Sequence, residues 1–471
     1  MTPAQRRTTY TLSGIVGLTL LVVTGLAFLI QPMADDLGLS EPTIDLALVA
    51  PSIASLLVVF TAGRAGDRFG ERRMIIAAAI VFTVGAGLLA SATIDPVIIV
   101  GLAFCGAGSV AIQVVALSLL KRTAPDGPAH VRAFTTFGVV FPFAFLVLPV
   151  ATALVVGSVN WRWIPVLWAM AGVVVITMAL LLLDSDRPEG ALGEWASPIL
   201  AGVALATGSR MLQEISREEP NVTIVVITTS MCLLATTACV AVIRRASTPG
   251  LSLRPLTGAM MRPLLVAIAV IGLIQILTYV TIALRYVYDL SPLQASIVIA
   301  PAQIGAIVGA KVVASRAIAV WGIARAGRVL LLSTGLVMLL LGFFRPGASM
   351  WFLILVATAF SLTGTAALTV MNIDIMGRAP EGSSGLVSGF RTAASSFGSA
   401  LSMIVLGAAV LSSVYLASGS TAISQTQLED FAAALRRDGL VGFLIAAAGW
   451  AVLYVAARRN RSNLESGALS G

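Results

Sequence analysis

Gly63-Arg64-Ala65-Gly66-Asp67-Arg68-Phe69-Gly70-Glu71-Arg72-Arg73 is the stretch on which the reading of this chain turns. It separates two apolar runs, near 43–62 and 74–94, each close to the roughly 20 residues a helix needs to cross a bilayer's hydrocarbon core. Its four arginines mark a short loop on the cytoplasmic side of a membrane. The glycine–acid–glycine spacing exceeds what such a topology signal requires. Gly63 and Gly66 allow close approach of helices, and Gly70 suits a tight turn. Asp67 can cap the following helix or pair with an arginine at the water boundary. A basic turn that only sets topology is the plainer alternative.

Working outward, the chain has 471 residues, of which 30 are Lys or Arg and 22 Asp or Glu. That is 11% charged and 58% hydrophobic, where an ordinary soluble protein is about 25% charged. A soluble enzyme, a disordered chain and a nucleic-acid binder are excluded by that scarcity, and the +8 net charge takes a membrane reading. Cys105, Cys232 and Cys239 lie in apolar runs and read as small core residues. Further runs of spanning length lie near 11–31, 96–119, 133–156 and 163–183. Others follow near 196–215, 221–243, 263–284, 292–314, 327–344, 350–372, 384–413 and 439–457, which makes fourteen. The run at 196–215 is the weakest, since it carries Arg210, Gln213 and Glu214.

With the N-terminus inside, 21 of the 30 basic residues fall in cytoplasmic segments, six fall outside, and Arg210, Lys311 and Arg391 fall within spans. Omitting 196–215 would invert every later loop and destroy that bias. The expectation is a multi-pass protein of a bacterial cytoplasmic membrane with both termini cytoplasmic. No segment between spans is long enough to bury a core of its own. A short external surface helix is expected at Leu428–Arg437.

The quoted loop resembles the G-x-x-x-D-R-x-G-R-[KR]-[KR] motif of the major facilitator superfamily, with Glu71 where a basic residue is usual. The resemblance implies that Gly63, Asp67, Arg68, Gly70 and Arg72 form a gate latch that stabilises the outward-facing state. Asn160-Trp161-Arg162-Trp163-Ile164-Pro165 resembles the entry to the sixth helix of the fourteen-helix drug:proton antiporters. Leu284-Arg285-Tyr286 and Ser291-Pro292-Leu293-Gln294-Ala295, with Pro301, are similar to that branch's tenth-helix entrance. Gly385-Leu386-Val387-Ser388-Gly389 and Gly398-Ser399-Ala400-Leu401 are similar to its thirteenth helix. The implied fold is an all-α major facilitator architecture of 14 transmembrane helices. It comprises an N-terminal six-helix bundle over 1–190, an inserted helix pair and linker over 191–262, and a C-terminal six-helix bundle over 263–471. The implied mechanism is alternating access about a midplane site.

The sequence departs from that branch where coupling residues are expected. Val23 and Phe28 stand where the first helix usually has Asp and Asn, and Leu102 stands where the fourth has Arg. The fifth-helix signature is reduced to Leu148-Pro149 followed by Thr152 and Ala153. A buried carboxylate is the usual proton carrier, and none remains in the first, fourth or fifth span.

Polar residues elsewhere in the spans carry two readings each. Arg210 and Glu214, four residues apart, can pair on one helix face, either as a protonatable site or as an ion pair near the outer interface. Asp45, following Ser40, Glu41 and Thr43, is either an outer-facing proton site or an acid stabilising a helix N-terminus. Lys311, Arg391 and Asp374, near cytoplasmic helix ends, form an inner-gate cluster or snorkel to the interface. Gln31, Gln113, Gln275, Tyr279, Gln303, Thr363, Thr365 and Asn372 are candidates for a substrate path or for interhelical hydrogen bonds. Phe28, Phe141, Phe143 and Phe145 would add an aromatic lining suited to a lipophilic solute.

An enzyme is disfavoured. The sole histidine, His130, falls in a cytoplasmic loop, no metal-ligand spacing occurs, and no phosphate-binding Gly-rich loop is present. The expected function is export of a hydrophobic or amphipathic small molecule by proton-coupled antiport, by a monomer in the bilayer. No cofactor is needed beyond a proton gradient, and no nucleic acid is a partner. A metabolite-specific exporter or uptake permease with other coupling is the alternative, and a non-transporting receptor or scaffold is a third.

Overall fold

The computed structural model describes residues 1–158, 160–184, 193–215, 217, 220–252, 260–380, 382–402, 405–406 and 425–468. Every element among them is helical. The starts follow from local chemistry. Helix α1 (Pro3–Thr19) opens on a capping box in which Thr2 Oγ1 accepts from Gln5 N and Gln5 Oε1 from Thr2 N. It is followed by α2 (Leu21–Leu37), which ends at Gly38 in the left-handed region. A proline near the N-terminus opens α3 (Glu41–Phe69), as it does α5 (Asp95–Thr123) and α6 (Gly127–Phe137). Between them lies α4 (Glu71–Ala90); α7 (Val140–Ser158) and α8 (Trp163–Leu182) follow.

Next come α9 (Ala196–Ile215) and α10 (Val222–Arg245), the latter capped by Asn221. Then come α11 (Met261–Ile274), α12 (Ile276–Tyr286), α13 (Pro292–Val298) and α14 (Ala300–Val308). The Ser291-Pro292-Leu293-Gln294 motif is a second capping box, with Ser291 and Gln294 as its reciprocal partners. A π-turn at Gly309–Val313 leads into α15 (Ala314–Leu339), and a short 3-10 turn, Leu340–Phe343, closes it. The chain ends in α16 (Met350–Gly377), α17 (Ser384–Ser402) and α18 (Gln425–Ala468).

Two compact units result, Met1–Leu253 with Ala379–Ser396, and Arg254–Arg378 with Phe397–Gly471. In the first, α5 packs against α3 and α4, α8 against α4, and α1 against α8 and α5. Their core gathers Phe82, Leu89, Leu102, Cys105 and Trp168, all buried. Helices α9 and α10 join this unit through α9, which lies on α3, while α10 packs on α9. Only 11% of the most apolar window of α10 is buried. Its exposed Val226, Met231 and Leu234 form a face fit for lipid and unfit for water. In the second unit α16 packs against α11, α14 and α15, and α18 packs against α15 and α11.

Ten stretches among the described residues are long and apolar enough to cross a membrane. One of them, Leu293–Phe343, runs 51 residues and is broken at Gly322, whose φ of 71° ends one helix and starts another. The run at 11–31 is divided at Leu20, and α9 and α17 are helical but diluted by Arg, Glu, Ser and Gly. Two local expectations are revised. His130 lies in no loop; it sits inside α6, 4% exposed, with Nδ1 2.8 Å from Ala124 O. The surface helix expected at Leu428–Arg437 is the opening of α18, because no residue between it and the final apolar run breaks the helix.

Candidate functional site

The Gly63–Arg73 motif takes its shape from one residue. Gly70 adopts φ 98°, which lets α3 end and α4 begin with no intervening loop. That turn delivers Asp67, Arg68, Glu71 and Arg72 to four different partners.

Asp67 does not cap α4 or pair with an arginine of the loop. Its Oδ1 accepts the Gly385 backbone N–H at 3.0 Å, so the carboxylate sits at the N-terminus of α17. Unsatisfied N–H groups and the positive end of the helix dipole both favour an anion there. The approach is possible because Gly63 faces Gly385: a Cβ on either would overlap the other's carbonyl oxygen. Ser388 Oγ donates to Val114 O at 2.7 Å, Ser384 and Ser118 share a 2.8 Å hydroxyl contact, and Phe60 meets Phe390 edge-on. The glycine–serine pattern at 384–389 is thus an approach surface, held by α3 and α5.

Arg72 donates from Nε to Ala179 O and from Nη2 to Leu180 O, capping the C-terminus of α8 with positive charge. Glu71, where a basic residue is usual in similar loops, is 2% exposed. Arg122 Nη1 donates to both its oxygens at 2.8 and 2.6 Å, and Ser118 Oγ adds a 3.4 Å bond. The exchange of sign at position 71 is therefore matched by a cation on α5.

Arg64 and Arg68 turn to the segments flanking α9 and α10. Arg64 Nη1 donates to Gly250 O at 3.0 Å, and its guanidinium lies 5.3 Å from the Trp195 ring centroid. Arg68 sits 5.7 Å from the same ring, and Phe69 stacks on it. Glu194 fastens this clasp by accepting from Ser197 N, Ser197 Oγ and Gly250 N. Burial pushes the Glu194 carboxyl up, but those hydrogen bonds outweigh it and hold it below the ordinary carboxylate range. Nothing in the sequence pattern pointed to Trp195.

The Trp161-Arg162 motif ties α2 to α8. Trp161 Nε1 and Arg162 Nη1 both donate to Asp36 Oδ2, at 3.0 and 2.6 Å, and Arg162 lies over the Trp161 ring. Hydrogen bonds from Trp161 and then Arg162 hold the Asp36 carboxyl below its usual range.

The intramembrane charges fall into place differently from expectation. Asp45 lies beyond the first turn of α3 and pairs with Arg217 at 2.9 Å. Arg217 also approaches Glu214, which pairs with Arg210 at 2.7 Å and is 1% exposed. These four residues tie the far end of α9 to the start of α3. Asp374 is held by Arg378, four residues further along the chain. Arg391 is half-buried, and Lys311 is exposed on the π-turn.

The polar candidates divide between the two units. In the first, Gln113 Nε2 donates to Ser109 Oγ, whose own hydroxyl reaches Thr19 O of α1. The side chains of Gln31 and Phe28 lie outside the described residues, and Phe143 and Phe145 are exposed. In the second, Tyr279 is 3% exposed and its hydroxyl donates to Ser402 O, while Thr363 turns back on its own helix. Gln275, at the α11–α12 junction, Gln303 and Asn372 are half-buried. A groove of about 390 Å³ between α4 and α8, lined by Gly87, Ala90, Met170 and Val173 among others, has no polar lining and faces outward.

A family model described as Major Facilitator Superfamily matches residues 12–403. The Mycobacterium tuberculosis "Multidrug resistance protein B homolog" is 26% identical over 174 residues, 36% of this chain and 32% of that one. The Streptomyces alboniger "Puromycin resistance protein pur8" is 26% identical over 291 residues, 60% of this chain and 56% of that one. These alignments span about a third to just over half of the relatives' lengths. The solved human organic anion transporter MFSD10 (TETRAN) superposes with a TM-score of 0.66 at 15% identity, covering 96% of this chain and all of that one. At that identity the likeness establishes the fold.

Proposed function

The chain belongs to the Major Facilitator Superfamily of transporters, and on that premise we propose that it exports a hydrophobic or amphipathic small molecule by alternating access, driven by proton antiport. The membrane is the bacterial cytoplasmic one, both termini are cytoplasmic, and the monomer is the working unit. The observation that carries this reading is the cap that Asp67 places on α17. An anion at a helix N-terminus contributes about 0.3–1 kcal/mol when exposed and up to about 2 kcal/mol when partly buried. That is enough to bias a two-state gate and small enough to break in each cycle. Gly63, Arg68, Gly70 and Arg72 shape and anchor the latch around it. The relatives' names, with the scarcity of charge in the spans, favour a lipophilic solute over a phosphate or sugar acid. Gln31, Gln113, Gln275, Tyr279, Gln303, Thr363 and Asn372 would supply its few polar contacts.

A second reading, a metabolite permease with different coupling, is favoured by the engagement of Asp45 with Arg217 and by the lack of an acid in the first, fourth and fifth spans. Efflux of a lipophilic fluorescent dye from cells separates the two. Collapse of the pH gradient by an ionophore is expected to abolish efflux, and undiminished efflux excludes proton antiport. In the same assay Asp67→Asn is expected to insert normally. It exchanges a charged acceptor for a neutral one, a loss of about 1 kcal/mol, and should slow efflux roughly fivefold. Wild-type turnover in that variant removes the latch reading. No flux of any probe under any gradient points to a receptor or scaffold.

A further inference from the structure

Asp438 lies on α18 at 0% exposure. Its Oδ1 is 3.4 Å from Arg437 Nη2, at the weak limit of a hydrogen bond, and that nitrogen is shared with Val405 O at the same distance. The Arg437 side chain is itself 51% exposed. Oδ2 is buried and meets no hydrogen-bond donor among the described residues. Ser402 Oγ is buried and unpartnered too, although the Ser402 carbonyl accepts from the Tyr279 hydroxyl. Tyr279 is within electrostatic reach of the Asp438 carboxylate. Asp438 Oδ2 and Ser402 Oγ are thus both buried with no hydrogen-bond partner among the described residues, in the unit that also encloses Tyr279.

Among the described residues Arg437 is the one basic group paired with Asp438, and Arg436 beside it is exposed. Helix α11 runs antiparallel to α18, with Leu273 beside Gly442 and Val266 beside Gly449, so Arg262 lies further along still. Helix α15 sets Met338 against Gly439, and its Arg328 lies over Tyr454, about 24 Å from Asp438 at 1.5 Å per residue. Arg285 on α12, Arg345 beyond the 340–343 turn, and Glu429 and Asp430 on α18 are exposed. An ionised carboxylate enclosed with one long, shared hydrogen bond is disfavoured by several kcal/mol, and such groups take up a proton instead. The neutral acid needs only an acceptor for its O–H, and a serine hydroxyl can be one.

We propose that Asp438 is a proton-binding site of the transport cycle, protonated while enclosed and ionised once rearrangement lets water reach it. The step is the gain and loss of one proton at a carboxylate oxygen, with no electron transfer. It rests on the antiport reading above, and it places coupling on the last helix, whereas the sequence leaves the first, fourth and fifth spans without an acid.

The test uses the full chain in proteoliposomes, with ethidium as probe, and pairs transport with infrared spectra of carboxyl groups. At neutral pH the wild type is expected to show a protonated-carboxyl band that Asp438→Asn lacks and Asp438→Glu restores at a shifted position. Asp438→Asn is expected to lose at least tenfold in ethidium accumulation driven by a pH gradient. Identical bands in wild type and Asp438→Asn overturn the proposal, whether or not the variant transports, and so does a full gradient response in Asp438→Asn. A response of the wild type to a sodium gradient in place of a pH gradient overturns it in favour of a cation site. If the wild type ignores the pH gradient while the band is lost in Asp438→Asn, the antiport reading fails and the coupling role falls with it. The intact infrared result tells that failure apart from an error in locating the proton.

Discussion

Glu71 illustrates how a single position is read correctly as unusual and yet not understood until its partner is seen. In a loop rich in arginine it could have been a solvated surface acid. Instead it is 2% exposed and paired with Arg122, so each group compensates a charge the other has withdrawn from water. Restoring the usual basic residue with Glu71→Arg would set two guanidiniums together and remove the carboxylate that Arg122 pairs with. Breaking a buried pair costs about 3–5 kcal/mol, so the variant should unfold at markedly lower temperature in detergent. The exchange Glu71→Arg with Arg122→Glu should recover at least half of the loss. No recovery in the double variant would mean that burial at position 71, and not charge pairing, governs the site.

At the scale of elements, the pair α9–α10 is attached at both ends of α3. One end is ionic: Glu214, Arg210 and Arg217 meet Asp45 near the start of α3. The other is aromatic: Trp195 receives Arg64, Arg68 and Phe69 at the end of α3. The pair therefore packs along the helix that carries Asp67. Trp195→Ala removes two cation–π contacts, each about 0.5–2 kcal/mol. Amide exchange across Arg68–Gly70 is expected to rise about tenfold, corresponding to roughly 1.4 kcal/mol of local stability. Unchanged exchange would show that Gly250 and Glu194 hold the clasp without the ring. Helix existence was legible at this scale because apolar length and caps are local properties. Helix ends were less so: α18 begins well before its apolar run, and α15 hides a break at Gly322.

For the whole molecule, the segment Ala379–Ser396 clusters with the amino-terminal helices although it follows the carboxy-terminal ones in the chain. If alternating access governs transport, that segment must part from α3 and α5 in each cycle. Ser118 and Ser384 meet hydroxyl to hydroxyl at 2.8 Å, which leaves room for a disulfide. Ser118→Cys with Ser384→Cys should stop dye efflux under oxidation and regain it on reduction. Efflux that continues with the crosslink formed would exclude separation at this contact as part of the cycle.

The sequence by itself determined the membrane class, the helical architecture and the motif. In lipid, backbone groups must be satisfied within each helix, so spanning length and apolarity are written residue by residue. It also identified Asp67, Arg162 and Ser291 as meaningful, since their spacing to glycine, tryptophan and proline is local. Only the tertiary structure decided what each charge touches. Asp67 meets Gly385 across 318 residues, Asp45 meets Arg217, and Asp438 is enclosed. Those outcomes depend on how each helix is rotated and on which neighbour it faces. Hydropathy sums over a span carry no record of either.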